Sequence, residues 1–244
     1  MLKKVSYFTH QGPYLNINED GVDSDIDLNL YTVYDGFGGN NVGDVATENA
    51  KNQIKKSFTK ISADEDSTMP FVYSPRYILE TNALMNAFHQ SHQLLLKQNQ
   101  EKKLEHRGGA AVCAFSISSK LATIVNCGNV RALLKRGNEL KSLVAVDDFS
   151  NISSVKSTQK NLTTVPSMAL GLFEELSLHV VEFLPHKGDV LLLATDGMVS
   201  MLNDEQILNT VNSFDDDVHV LQKLAELNNE EGNWDNQSGI ILRF

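Results

Sequence analysis

Cysteine, linker sequence and long apolar runs are all scarce in this chain of 244 residues, and each shortage removes a class of protein. Cys113 and Cys127 are its two cysteines, both inside apolar strand-like runs. Two cysteines make no disulfide framework, and their spacing is not that of a metal clip, so buried reduced thiols are expected. No run reaches the length of a transmembrane helix, and Met1–Val5 has no apolar segment of signal-peptide length. A cytoplasmic protein is therefore the expectation. No Pro-rich or Gly/Ser-rich stretch and no internal repeat divides the chain, so residues 1–244 read as a single domain. Cations are also in deficit: 21 Lys and Arg stand against 31 Asp and Glu, a formal charge of −10. That disfavours nucleic acid and anionic membrane as partners. An anionic substrate stays open, because bound cations can reverse the local field.

The pattern of what is present predicts mixed elements. Val5–Thr9, Leu30–Tyr34, Val112–Ile117, Leu121–Cys127, Arg131–Lys135, Leu176–Phe183, Val190–Ala194 and Ser238–Phe244 read as strands. Asp35-Gly36 should end the second of these in a turn, and Gly108-Gly109 should break the chain. The three strands that follow, with tight turns at 118–120 and 128–130, suggest a β-meander. Helices are expected over about 42–58, with Val42, Val45, Ala46, Ala50 and Ile54 on one face, and over about 75–104, opened by Ser74-Pro75. Tyr77, Leu84, Phe88 and Leu95 would form the second helix's apolar stripe. Asp204–Val211, with Asn203 and Gln206 as a capping pair, and Val218–Leu227 complete the helices. The polar segment from Asp147 to Thr164 reads as a mobile loop that could govern substrate access. Helices and hairpins mixed without βαβ alternation favour an α+β fold over a doubly wound one.

Four acidic motifs lie beside these strands: Asn18-Glu19-Asp20, Asp35-Gly36-Phe37-Gly38-Gly39, Thr195-Asp196-Gly197 and Trp234-Asp235-Asn236. Short, rigidly placed carboxylates are what Mg²⁺ or Mn²⁺ needs, with water completing the shell. A neighbouring Gly lets the chain turn and a carbonyl approach the ion. Any one Asp-Gly pair most often marks only a turn. The case rests on four motifs in order, each with its strand or loop. Two metals held this way suggest hydrolytic phosphoryl transfer. His10, His106 and His186 are read as surface or packing residues.

In that order the motifs resemble the metal-dependent protein serine/threonine phosphatases of type 2C (PPM), most closely the compact bacterial form. Tyr34–Gly39 with Gly43-Asp44-Val45-Ala46 resembles the family's Asp-Gly-x-Gly-Gly segment and following helix. Gly108–Ala111, Cys127–Arg131, Ala169-Leu170-Gly171, Gly188-Asp189 through Gly197, and Asp235-Asn236 match further family segments, over nearly the whole chain. The resemblance implies a central β-sandwich of two antiparallel sheets flanked by helices, a four-layer αββα arrangement, as one type 2C domain. It implies a binuclear Mg²⁺/Mn²⁺ centre: Asp35 bridging, the Gly36 carbonyl, Asp196 and Asp235 as ligands, Glu19 acting through water, and Asp20 in support. Its substrate would be a phosphorylated protein, attacked by a metal-activated water without a phosphoenzyme. A cognate Ser/Thr kinase is the partner such an enzyme implies.

Four positions depart from the family pattern. Leu15 stands where an Arg commonly grips the substrate phosphate, and losing that partner should weaken binding; Lys3, Lys4, His10 and Arg107 are candidate replacements. Asn129 and Ser200 stand where relatives carry the two Asp residues of a third, weaker metal site. That site is expected to be absent or very weak. Phe37 stands where some relatives carry a His and many bacterial ones an apolar residue. An active phosphatase and a catalytically weak or inactive pseudophosphatase used as a binding module are both compatible with this pattern. A metal-free structural domain would leave like charges crowded without compensation.

Overall fold

The structure is a computed structural model and describes residues 2–39, 42–62, 68–149 and 165–244. Among the described residues ten strands form two antiparallel five-stranded sheets. In chain order they are β1 (Lys4–His10), β2 (Gly21–Asp25), β3 (Leu30–Gly38), β4 (Gly108–Ser118), β5 (Leu121–Cys127), β6 (Arg131–Arg136), β7 (Glu139–Ser142), β8 (His179–Phe183), β9 (Val190–Ala194) and β10 (Gln237–Arg243). One sheet runs β1-β10-β9-β6-β7 and the other β2-β3-β4-β5-β8. Helices α1 (Gly43–Ser62) and α2 (Leu79–Gln100) cover the second sheet. Helices α3 (Asp196–Val199), α4 (Asp204–Ser213) and α5 (Asp217–Glu230) lie on the first.

Period-two alternation builds the three layers of core. Along β3, Leu30 and Tyr34 face α1 and α2, while Tyr31 and Val33 face the other sheet. Along β4, Ala110, Val112 and Ala114 pack under the helices, and Ala111, Cys113 and Phe115 fill the space between sheets. Small residues on the helix side of β4 leave room for Phe58, Leu84 and Phe88. Cys113 and Cys127 are buried free thiols in different core layers, the first between the sheets and the second under the helices. Burial pushes both thiols up, away from the reactive thiolate.

Several expected elements are corrected. β3 does not stop at Asp35-Gly36 but runs on to Gly38, with Asp35 opposite Ala111 and Gly36 opposite Ala110. Gly108 and Gly109 do not break the chain. They begin β4 and pair with Gly38 and Phe37, a strand pair in which the Phe37 ring lies against Gly109 where a side chain would stand. The expected meander is two hairpins in different sheets: β4 pairs with β5, whereas β6 pairs with β7 and β9. Val45 is half exposed rather than core, while Ala46, Ala50 and Ile54 are buried as expected.

The second helix begins at Leu79, not at Pro75. Two buried asparagines on α2 make the difference. Asn82 Oδ1 accepts the Ser74 amide at 2.7 Å, and its Nδ2 donates to the Ser74 carbonyl at 2.9 Å. Asn86 does the same for Val72, at 3.4 and 2.6 Å. These side chains supply the backbone partners of an extended segment that a helix would have satisfied internally. β2, β7 and the single-turn α3 were not foreseen; each is short and weakly patterned. The Asn203–Gln206 capping box is present, with both bonds at 2.9 Å. Most of the Asp147–Thr164 loop lies outside the described residues; its base is held by Asp147, whose amide donates to Gly128 O at 3.0 Å and whose carboxylate meets His179 Nε2 at 3.0 Å. Among the described residues no helix is long and apolar enough to cross a membrane.

Candidate metal centre

One end of the sandwich collects the four acidic motifs. β1 ends there at His10, β9 runs out into Asp196, Asp235-Asn236 leads into β10, and Glu19-Asp20 leads into β2. Asp35 reaches the same end from within β3. Antiparallel pairing of neighbouring strands brings sequence positions more than 200 residues apart into contact: Glu19 N donates to Asn236 Oδ1 at 2.8 Å.

Each carboxylate is held by its own local bonds. Asp196 Oδ1 accepts the Gly197 amide at 2.7 Å, and Asp235 Oδ1 accepts the Asn236 amide at 2.8 Å. Both are short side chains folded back on the backbone N–H of the next residue. Gly197 is required here, because a β-carbon would collide with the Asn236 carbonyl oxygen. The Asp196 and Asp235 turns are therefore packed backbone against backbone. Glu19 Oε1 accepts the Gly43 amide at 2.7 Å and so caps the start of α1. Gly36 is boxed in by the Glu19 carbonyl, Thr47 Oγ1 and the Gly43 carbonyl, leaving no room for a side chain. Asp20 Oδ2 accepts from Thr195 Oγ1 at 3.0 Å.

Burial and like charge act together on these groups. Burial raises Asp35 well above the usual carboxylate range, and Asp196, Asp20 and Asp235 push it the same way against one hydrogen bond from Asn129. Asp20 is raised well above it too, first by burial and then by Asp235 and Asp196, opposed by the hydroxyls of Thr195 and Ser238. Burial raises Asp235, opposed by the Asn236 amide. Glu19 is raised by burial, with Asp44 and Asp235 adding to it and the Gly43 amide opposing. Asp20 and Asp35 are half-buried, and Asp235 is exposed. The groups that act most strongly on these carboxylates include no Lys or Arg.

The donor set fits hard divalent cations. It is all oxygen, carries excess negative charge and opens to solvent. Among the described residues no three carboxylate, thiol or imidazole side chains are already closed around one point.

The other expected residues are placed as follows. Leu15 is 41% exposed on the loop before Asn18. Lys3 and Lys4 cannot replace a phosphate-gripping Arg: Lys3 donates to the Phe244 carbonyl and Lys4 pairs with Asp217 at 3.1 Å. Both lie at the far end of β1, about 20 Å from His10 at 3.3 Å per residue. His10 is at the site end, with Nδ1 accepting the Gly12 amide at 3.0 Å. Arg107 Nε donates to the Lys102 carbonyl at 3.2 Å. Asn129 bonds to Asp35, whereas Ser200 closes the turn of α3 by donating its amide to the Asp196 carbonyl at 2.8 Å. His106 is half exposed beside Glu105, and the His186 amide binds Asp189.

The polar residues behind the carboxylates carry, with one exception, no local sequence signal of their role. Asn236 is the joint of the site: its Oδ1 takes the Glu19 amide and its Nδ2 donates to the Gln11 and Ile17 carbonyls at 2.8 and 3.0 Å. Thr195 Oγ1 also accepts the Ser238 amide at 3.0 Å, and Thr47 Oγ1 donates to the Glu19 carbonyl at 2.7 Å. A Thr on the buried face of α1 was the one sequence signal for the last of these.

Fold and cluster together define a class: a helix-flanked double sheet presenting an acidic, oxygen-only site to solvent at one end. A family model described as Protein phosphatase 2C matches residues 3–150, and the chain belongs to that family. The family is one of phosphoprotein-phosphatase hydrolases in which divalent-metal dependence is general. A serine/threonine phosphatase, stp, of Listeria welshimeri is 28% identical over 98% of this chain and 94% of its own. Among solved structures, Stp1 of Staphylococcus aureus superposes with a TM-score of 0.79 at 20% identity, covering 100% of this chain and 95% of that one. The catalytic domain of PstP, solved with two manganese ions, superposes with a TM-score of 0.76 at 22% identity over 99% and 98% of the two chains. At these identities the structural likeness speaks to the fold.

Proposed function

We propose that this chain is a Mg²⁺/Mn²⁺-dependent phosphatase of phosphoserine and phosphothreonine in proteins, built as one domain and working in the cytoplasm. The observation that carries this reading is the convergence of Asp20, Asp35, Asp196 and Asp235 at one sheet end. Asp35, Asp196, Asp235 and the Gly36 carbonyl would hold two divalent ions, with Glu19 engaging water and Asp20 steadying the site. When bound, the ions supply Lewis acidity and an acidified water for in-line attack on phosphorus. The chain's own residues do the rest. Thr195 fixes Asp20, the Gly197–Asn236 contact sets the spacing of Asp196 from Asp235, and Asn236 ties Glu19 to the same turn. Glu19 has one oxygen on the α1 amide, which leaves the other for water. With neutral Asn129 and Ser200 in place of carboxylates, a third ion is not expected to bind strongly. Asn129 instead serves Asp35 directly.

A second reading rests on exposed, apolar Leu15: without a side-chain cation for phosphate, the same fold could bind phosphoproteins and turn them over poorly. One assay separates the two. Wild type and Asp35→Asn are given a phosphopeptide and a small aryl phosphate, with and without Mn²⁺. The proposal expects Mn²⁺-dependent turnover that falls roughly a hundredfold or more in the variant. Tight binding of two metals with no turnover above the variant would establish the second reading instead.

A further inference from the structure

The segments that frame the carboxylates contain no Lys or Arg at all. None occurs in residues 5–50, 188–222 or 224–242, and these stretches supply Glu19, Asp20, Asp35, Asp196 and Asp235. Two arginines reach neighbouring strand positions, each with a local setting of its own. Arg131, opposite Ala194, shares a depression with Asp148 and Asp204, and Arg107 is bonded to the Lys102 carbonyl.

In place of cations the rim carries exposed apolar and aromatic side chains. Tyr14 is 76% exposed, Trp234 57%, Leu15 41% and Ile17 38%. The Asn236 amide ties the Gln11 and Ile17 carbonyls to the turn after Trp234, which brings the 11–17 loop beside that turn. Gly12, at φ +79°, lies against the Asp235 carbonyl with no room for a side chain. Just before Trp234, Glu230 and Glu231 are exposed at the end of α5. Flat aromatic faces beside carboxylates, with no Lys or Arg in the described segments that supply them, make a surface complementary to cationic side chains.

We propose that this rim selects phosphoprotein segments carrying Lys or Arg beside the phosphorylated residue, the cation lying against Tyr14 and Trp234 and drawn in by Glu230 and Glu231. The inference rests on the phosphatase reading for its substrate class. A segment flanked by Asp or Glu would meet the carboxylates of the site and of Glu230 and Glu231 as like charge.

The test uses paired phosphopeptides, identical except for Lys/Arg or Asp/Glu flanks, together with an aryl phosphate too small to reach the rim. Wild type should show a kcat/KM preference of about tenfold or more for the basic peptide, shrinking as salt rises from about 50 mM to about 0.5 M. The double variant Glu230→Lys/Glu231→Lys should lose most of that preference and keep aryl-phosphate turnover. Trp234 is the single tryptophan of the chain, so its fluorescence reports docking without chemistry. Non-hydrolysable phosphonate versions of the peptides, added with Mg²⁺, should perturb it at about tenfold lower concentration for the basic one, and Tyr14→Ala should narrow that gap. Equal binding and equal turnover of the two peptides, or a preference untouched by the charge reversal, would overturn the proposal. Failure of the phosphatase reading looks different: aryl phosphate would not turn over, while the fluorescence arm would still decide the selectivity.

Discussion

Single atoms set the geometry of this site, and Gly197 is the clearest case. Its α-hydrogen stands where a side chain would strike the Asn236 carbonyl, so the Asp196 and Asp235 turns pack at backbone distance. Gly197→Ala should push the two turns apart and weaken Mn²⁺ binding about tenfold or more, a change of roughly 1.4 kcal/mol, as read by calorimetric titration. Unchanged affinity would mean that the spacing of Asp196 from Asp235 is not set there. The ionisable residues of the site were legible in the sequence because a carboxylate beside Gly or Asn at a strand end is a recognisable pattern. Asn236 and Thr195 were legible only as motif members. Their work depends on partners some 40 to 220 residues away along the chain, and no local pattern encodes that.

At the scale of elements, side chains reaching backbone decide where pieces begin and end. Asn82 holds Ser74, Tyr77 and Ile78 through one buried amide, which is why the segment before α2 is extended. Asn82→Ala should strip those bonds and cost about 2–3 kcal/mol, measured by urea unfolding, with loosening confined to residues 71–78 in hydrogen exchange. A cost below about 0.5 kcal/mol, the scale of an ordinary surface change, would show that the segment is held otherwise. Strands with strong apolar runs, such as β5 and β9, are legible to the residue, since a compact apolar run alone defines them. β2 and α3 were missed, since pairing with β3 and the pull of the Asp196 turn create them. Sheet membership was misread for the same reason: the turn at Gly128–Val130 looks like a hairpin locally, yet it carries the chain across the sandwich.

For the whole molecule, the cluster couples ion binding to folding. Asp20, Asp35 and Asp235 have raised values in the folded state, so the folded protein holds their protons longer than the unfolded chain does. Their contribution is fully present below the unfolded carboxylate value of about 4 and is lost as pH climbs through the folded values. Metal-free protein should therefore lose stability with rising pH, and Asp35→Asn, which removes one of the charges, should lose less. Saturating Mn²⁺ should raise the melting temperature of the wild type more at neutral than at acidic pH. Calorimetry at a series of pH values, with chelator and with Mn²⁺, reads both effects; a metal shift independent of pH would contradict the coupling.

The central claim is that four acidic motifs, distant in sequence, form one two-metal centre. Anomalous diffraction from Mn²⁺-soaked crystals tests it most directly. The account predicts two peaks sharing Asp35, one or both within about 2.2 Å of Asp196 or Asp235 oxygens, close to oxygen-ligand distances for such ions, and no third peak at Asn129 and Ser200. A single peak away from Asp35, or none at all, would contradict it.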